Sequence, residues 1–404
     1  MLVIFVCLLA ACGTPAVPAT GNTAGQNPSG STATSLPTIT TSGTSLGGTG
    51  CAGQAGLLAI RMLNRSDGWA LNEKAILKTS DGGLHWRCVT PPNTQIGMDS
   101  RGDFLSDNLH AWVVPTPQSN NNSVTILRTS DGGQSWQSAT ISDTYPEVGD
   151  PPHFINAQEG WIELVANGGP GAGSESVDIF HSTDGGQSWN KIASTDNPSS
   201  GLPRGGLKSG ISFKDALNGW ATGEDASDTP WLYVTHNGGK TWASQPLPDL
   251  PGAIGTQYTS VHYDTTPPVF FGDTGLLPVQ VQGQLDQGPQ AAVHGVMLYM
   301  TSDGGQSWST TWKANPDTLT TFLTTPQGLY IADPTHAWAG NQNDGSLYGT
   351  SDGGQSWHKL AKNVGQIASM SFVDDLNGWI FSNNGLLHTT DGGKTWQQVH
   401  YVYP

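Results

Sequence analysis

Thr79-Ser80-Asp81-Gly82-Gly83-Leu84-His85-Trp86 decides the fold, because the chain repeats its pattern six more times. Thr/Ser-x-Asp-Gly-Gly-x-x-Trp returns as TSDGGQSW at 129–136, STDGGQSW at 182–189, THNGGKTW at 235–242, TSDGGQSW at 301–308 and again at 350–357, and TTDGGKTW at 389–396. The acidic positions, with Asn237 standing in the fourth copy, lie 50, 53, 53, 66, 49 and 39 residues apart. A period of that size marks a repeat architecture. Ahead of each octapeptide stands a second repeated element, an apolar run, a turn and then Gly/Ala-Trp, at Trp69, Trp112, Trp161, Trp220, Trp338 and Trp379. The fifth unit has GLLPVQV at 275–281 instead. The two elements together account for 13 of the 15 Trp.

Each unit reads as four short strands. In the first they are 57–63, 68–72, 75–80 and 85–89, runs bounded by Gly, Asn and Asp as hairpin strands are. Seven four-stranded antiparallel units predict an all-β, seven-bladed propeller. The first and last units each own four strands, so closure is expected from face packing without strand exchange. Within the octapeptide, the carboxylates of Asp81, Asp131, Asp184, Asp303, Asp352 and Asp391, and the amide of Asn237, are expected to accept backbone N–H groups of the turn. Glycine supplies positive φ there, and Trp packs between blades. A turn repeated seven times is structural on this reading.

Composition agrees. Of 404 residues 53 are Gly and 26 Pro, and only 12% are charged, against about a quarter in a helical globular chain. The net charge is −16 with six Arg, which excludes a phosphate-reading surface, so no nucleic-acid partner is expected. His residues are scattered without metal-ligand spacing, and no nucleotide loop or nucleophile elbow occurs, so no metal, no cofactor and no catalytic centre is expected.

The N-terminus has its own logic. Residues 2–11, LVIFVCLLAA, are apolar but too short to span a bilayer, which needs about 20 residues, and read as the core of a signal peptide. Leu9-Ala10-Ala11-Cys12 resembles a bacterial lipobox, which implies lipidation at Cys12 and an extracytoplasmic protein held to the membrane by that lipid alone. No Lys or Arg precedes the apolar run. Residues 13–50 are uncharged Ser, Thr, Gly, Pro, Ala and Asn, a composition expected to form a disordered tether with a reach of roughly 35 Å. The folded domain is then 51–404. Cys51 and Cys88 remain, as a disulfide or as two unpaired buried thiols.

Function is expected opposite the octapeptides, on the face carrying the loops between second and third strands and between blades. Extra length is concentrated there at 141–152, 166–176, 194–210, 244–258 and 282–292. These loops and their borders hold Tyr145, Glu147, Asp150, Glu175, Glu224, Asp225, Asp228, Trp231 and Tyr258. Two such carboxylates could act as the acid and nucleophile of a glycosidase.

The octapeptide resembles the Asp-box, or bacterial neuraminidase repeat, of sialidases, sortilin-type receptors and propeller glycosidases. From about 57 to 400 the order of strand, turn, Gly-Trp, strand and Asp-box resembles the photosystem II stability/assembly factor family. That resemblance implies a propeller that assists assembly of membrane complexes without catalysis, with a protein partner such as an integral-membrane complex. The family's photosynthetic members carry an Arg-rich patch, which six Arg do not supply here. The alternatives are a carbohydrate-active propeller or a sortilin-like peptide-binding module. Sialidase chemistry needs three convergent Arg and an early Phe/Tyr-Arg-Ile-Pro, whereas this chain has Ala59-Ile60-Arg61-Met62.

Overall fold

A computed structural model describes residues 56–116, 122–142, 144–145, 148–166, 174–225, 229–249, 260–284, 293–311 and 328–402, with the backbone of 34–35. Seven antiparallel sheets follow one another along the chain. In the first blade the strands are Leu57–Met62, Gly68–Asn72, Ile76–Thr79 and Arg87–Cys88. The remaining blades cover Arg101–Ser142, His153–Ser194, Leu207–Ser244, Ser260–Thr310, Leu329–Ala361 and Ile367–Gln398. The first strand of each is innermost, and the strand order within each sheet is sequential. Thr34 and Ser35 lie antiparallel to Thr140 and Ala139 at the outer edge of the second blade. Among the described residues no helix is long and apolar enough to cross a membrane.

The repeated residues tie each blade to the next. The indole N–H of Trp112 donates to the carbonyl of Gly185 in the following blade's Asp-box at 2.8 Å. Trp161 does the same to Gly238, Trp338 to Gly392 and Trp379 to Gly82. Where the indole does not reach, a substitute does. Lys78 Nζ lies 4.5 Å from the Trp69 ring centroid and donates to Asn108 and Gly132 carbonyls. Gln245 accepts from Trp220 and donates to Gly305.

A phenylalanine at the end of the next blade's inner strand stacks on five of these indoles, whereas Trp379, whose neighbouring inner strand ends in Met62, lies on His388. Trp112 and Phe154 lie 3.5 Å apart, Trp161 and Phe213 3.8 Å, and Trp338 and Phe372 3.6 Å. The Asp-box Trp then meets the same ring edge-on, as Trp189 meets Phe154 at 84°. This explains Gly-Trp. The Phe ring covers the glycine, and a methyl added at Gly160, Gly219, Gly275 or Gly378 would collide with it. In the second blade Ala111 takes the glycine's place opposite Phe104, and the Trp69–Phe104 separation is 5.4 Å.

The fifth blade departs where the repeat weakens. Its inner strand comes in two pieces, Ser260–Thr265 and Val269–Phe271, broken at Thr266-Pro267-Pro268. Pro278 of the adjacent strand, which has no N–H to donate, stands opposite that break. The second strand runs to Gln284, three residues into the expected loop at 282–292. The expected loop 194–210 contains a single 3₁₀ turn, Pro198–Ser200, and the start of a strand at Leu207.

First and seventh blades share no sheet. Ile60 and Met62 N–H groups donate to the Ser369 and Ser371 hydroxyls, and Val402 pairs with the first Asp-box through Trp86 N–H and Leu84 carbonyl. Cys88 is disulfide-bonded. Cys51, like Cys12 and nearly all of residues 1–50, lies outside the described residues.

Candidate functional site

The Asp-boxes are complete turns. In all seven, the leading Thr or Ser hydroxyl donates to the side-chain oxygen two residues on and accepts from the second glycine, as Thr350 does with Asp352 and Gly354 at 2.8 and 2.9 Å. Asp352 Oδ1 also accepts the Ser356 N–H, and its Oδ2 accepts the Ser356 hydroxyl. Asn237 keeps the N–H contact to Thr241 and donates its amide to the hydroxyl that a carboxylate would bind. Both glycines of every box have positive φ. Hydrogen bonds from the Thr395 hydroxyl and N–H hold Asp391 at about 2. Each oxygen of these carboxylates accepts at least one hydrogen bond from within its own box. A cleft of about 390 Å³ on this side, among Lys78, Asp81, His85, Trp86, Arg87 and Val402, is walled largely by such turn residues.

Chemistry with capacity to spare lies at the opposite mouth of the ring. Around the ring the inner strands are joined by polar bonds from one blade to the next, near their Asp-box ends. Phe154 N–H donates to Asp103, His153 donates to the Phe213 carbonyl, Ser212 to Pro268 and Tyr330 to Phe372. In the third blade that strand is only His153–Phe154, because Pro151 and Pro152 cannot extend the ladder. Glu163, on the next strand, therefore has no inner-strand partner opposite it.

Four groups converge at this gap. Asp150 reaches it from the loop before the inner strand, near enough to Gly210 that a methyl there would strike the carboxylate. Gly210 is the φ +112° bulge of the fourth blade's inner strand. Glu175 Oε2 accepts the Lys208 N–H at 2.9 Å. Enclosure by protein raises the Glu163 carboxyl to about 8, with Asp150 and Glu175 adding to the rise and Lys208 opposing it. Asp150 still meets solvent, yet its surroundings raise it to about 6 against the pull of Arg101. Further round, Glu224 pairs with His262 at 2.6 Å, and Asp264 accepts from Ser209. Met98 (69% exposed) and Leu207 (42%) flank the mouth as apolar surface.

The sequence-expected residues divide accordingly. Asp150 and Glu175 come together. Asp225 adds to the field at Lys208 and Tyr233. Tyr145 is half-buried, its N–H donating to Val165. Trp231 belongs to the core: it is 4% exposed, packed on Tyr233, with Lys208 Nζ 5.3 Å from its ring centroid. Glu147, Asp228 and Tyr258 lie outside the described residues. Glu163, Lys208, Arg101 and His262 were not expected. Glu163 had a signal, since it is the one charged side chain two residues after any Gly/Ala-Trp. Among the described residues no group of three or more His, Cys, Asp or Glu is arranged to hold a metal ion.

Fold and turns together define an Asp-box β-propeller of seven blades. Residues 52–196 match the family model of the photosynthesis system II assembly factor YCF48, the family this propeller resembles. A structure of YCF48 bound to D1 peptide is 18% identical with a TM-score of 0.51, covering 89% of this chain and 96% of that one. YCF48 from Cyanidioschyzon merolae is 17% identical with a TM-score of 0.50, over 90% of this chain and 100% of that one. The GH74 xyloglucanase from Xanthomonas campestris is 12% identical with a TM-score of 0.57, over 87% of this chain but only 54% of the enzyme. No curated protein matches the chain. At these identities the likeness is one of fold.

Proposed function

We propose that the chain is a non-catalytic, protein-binding scaffold for a membrane complex, lipid-anchored through Cys12 and extracytoplasmic, with the loop-side mouth of the ring as its docking face. The observation that carries this reading is the match of residues 52–196 to the YCF48 family, one of whose solved structures holds a D1 peptide. The mouth supports it physically. Exposed Met98 and Leu207 flank charged groups held by a rigid ring, the combination that an interface core and rim require. On the Asp-box face the box carboxylates are held by their own turns, although Leu217 and Leu376 are exposed there.

The test is mild cross-linking in the native membrane, followed by purification through a C-terminal tag and mass spectrometry. One integral-membrane complex should be enriched reproducibly. Cys12→Ala should move the protein out of the membrane fraction and abolish that enrichment. Unchanged fractionation would refute the lipid anchor. An empty cross-link would refute the scaffold and turn attention to soluble glycans, for which the paired carboxylates would be the place to look.

A further inference from the structure

The carboxylates at the mouth outnumber the cations free to meet them. Lys208 Nζ donates to the carbonyls of Arg204, Gly205 and Gly206 at 3.0, 2.9 and 3.0 Å. Arg101 gives Nε to Gly149 and Nη1 to Met98 and Ser100. Both cations are thus directed at backbone oxygens. Asp150 and Glu163, by contrast, accept no hydrogen bond from any described residue, and Glu163 Oε2 is shielded from solvent without a partner. A shielded carboxylate oxygen without a donor is costly, and a water, an ion or a ligand group from outside the chain would relieve that cost. Asp150 is exposed to solvent whereas Glu163 is half-buried with one oxygen shielded, so a group that arrives from solvent must reach inward as well as carry positive charge.

Resting on the scaffold reading, we propose that the gap in the third blade's inner wall is a socket for a Lys or Arg side chain of the partner polypeptide, its head on Glu163 and its entry past Asp150. A flexible aliphatic stem with a multi-donor head suits this depth. The groups facing Glu163 are Asp150 and Glu175 from the loops of its own blade and Lys208 from the fourth blade, with Arg101 of the second blade acting on Asp150. Occupancy should require ionised Glu163, so binding should strengthen as pH rises through about 8.

Titration calorimetry of the full chain tests this with Ac-Gly-Gly-Arg-Gly-Gly-NH2, its lysine analogue and its neutral citrulline analogue. At pH 9 the arginine and lysine peptides should bind at least tenfold more tightly than the citrulline peptide, and the preference should shrink at pH 6. Glu163→Gln should erase it and Asp150→Asn weaken it, each with a native circular dichroism spectrum. If Glu163→Gln fails to fold, Asp150→Asn and the pH series still decide. Equal binding of arginine and citrulline peptides, binding of neither, or a preference that survives Glu163→Gln would overturn the socket. Agmatine binding as tightly as the peptide would overturn the polypeptide source. The two readings fail separately, because loss of the arginine preference leaves the cross-linking result standing and an empty cross-link leaves the preference standing.

Discussion

One hydroxyl and one carboxylate hold six of the Asp-box turns, with the Asn237 amide in the fourth, and their removal has a definite cost. Asp352→Ala leaves the Ser356 N–H and hydroxyl and the Thr350 hydroxyl without their acceptor. Chemical denaturation should show a loss of about 1–3 kcal/mol, with ligand binding at the opposite mouth unchanged. Glu163 works in the other direction. Its folded value of about 8 lies above the ordinary value of 4.5, so the folded protein holds a proton that the unfolded chain releases between those two pH values. Stability should therefore fall as pH rises from about 4.5 to 8, on the order of 3 kcal/mol after allowance for solvent reaching the side chain. Thermal melts of Glu163→Gln should lack that slope, and a parallel slope in the variant would assign it to other groups.

At the scale of the strand, a Trp–Phe–Trp stack repeats from blade to blade. Gly219→Ala would drive a methyl into the Phe213 ring that lies on Trp161. Denaturation should register a loss of about 1–3 kcal/mol, whereas Gly149→Ala, with open space around it, should be close to neutral. The Gly-Trp pairs were legible in the sequence because they recur beside the Asp-boxes. Their reason was not. Phe104, Phe154, Phe213, Phe270 and Phe372 act across blade boundaries, and no local pattern says which Trp each will cover. The break opposite Pro278 was half-legible, since GLLPVQV lacks the Trp and holds a proline unsuited to a continuous inner ladder.

At the scale of the whole molecule, seven copies of one turn were enough to count the blades and to tell the two faces apart. The charged mouth was legible only in part. Asp150 and Glu175 stand in the loops of extra length at 141–152 and 166–176, but Glu163 sits in an apolar strand and Lys208 at the start of another. Only the shortened inner strand after Pro151-Pro152 brings them into one field. Ring closure likewise depends on Val402, far in sequence from the Leu84–Trp86 backbone it pairs with.

The central claim is that this propeller docks its partner at the mouth and not on the Asp-box face. A photo-cross-linking amino acid placed singly at Met98 or Leu207, and for comparison at Leu217 or Leu376 on the Asp-box side, tests it most directly in the native membrane. Docking at the mouth should give adducts to one and the same membrane protein from positions 98 and 207, and none from 217 and 376. Adducts confined to 217 and 376 would contradict it.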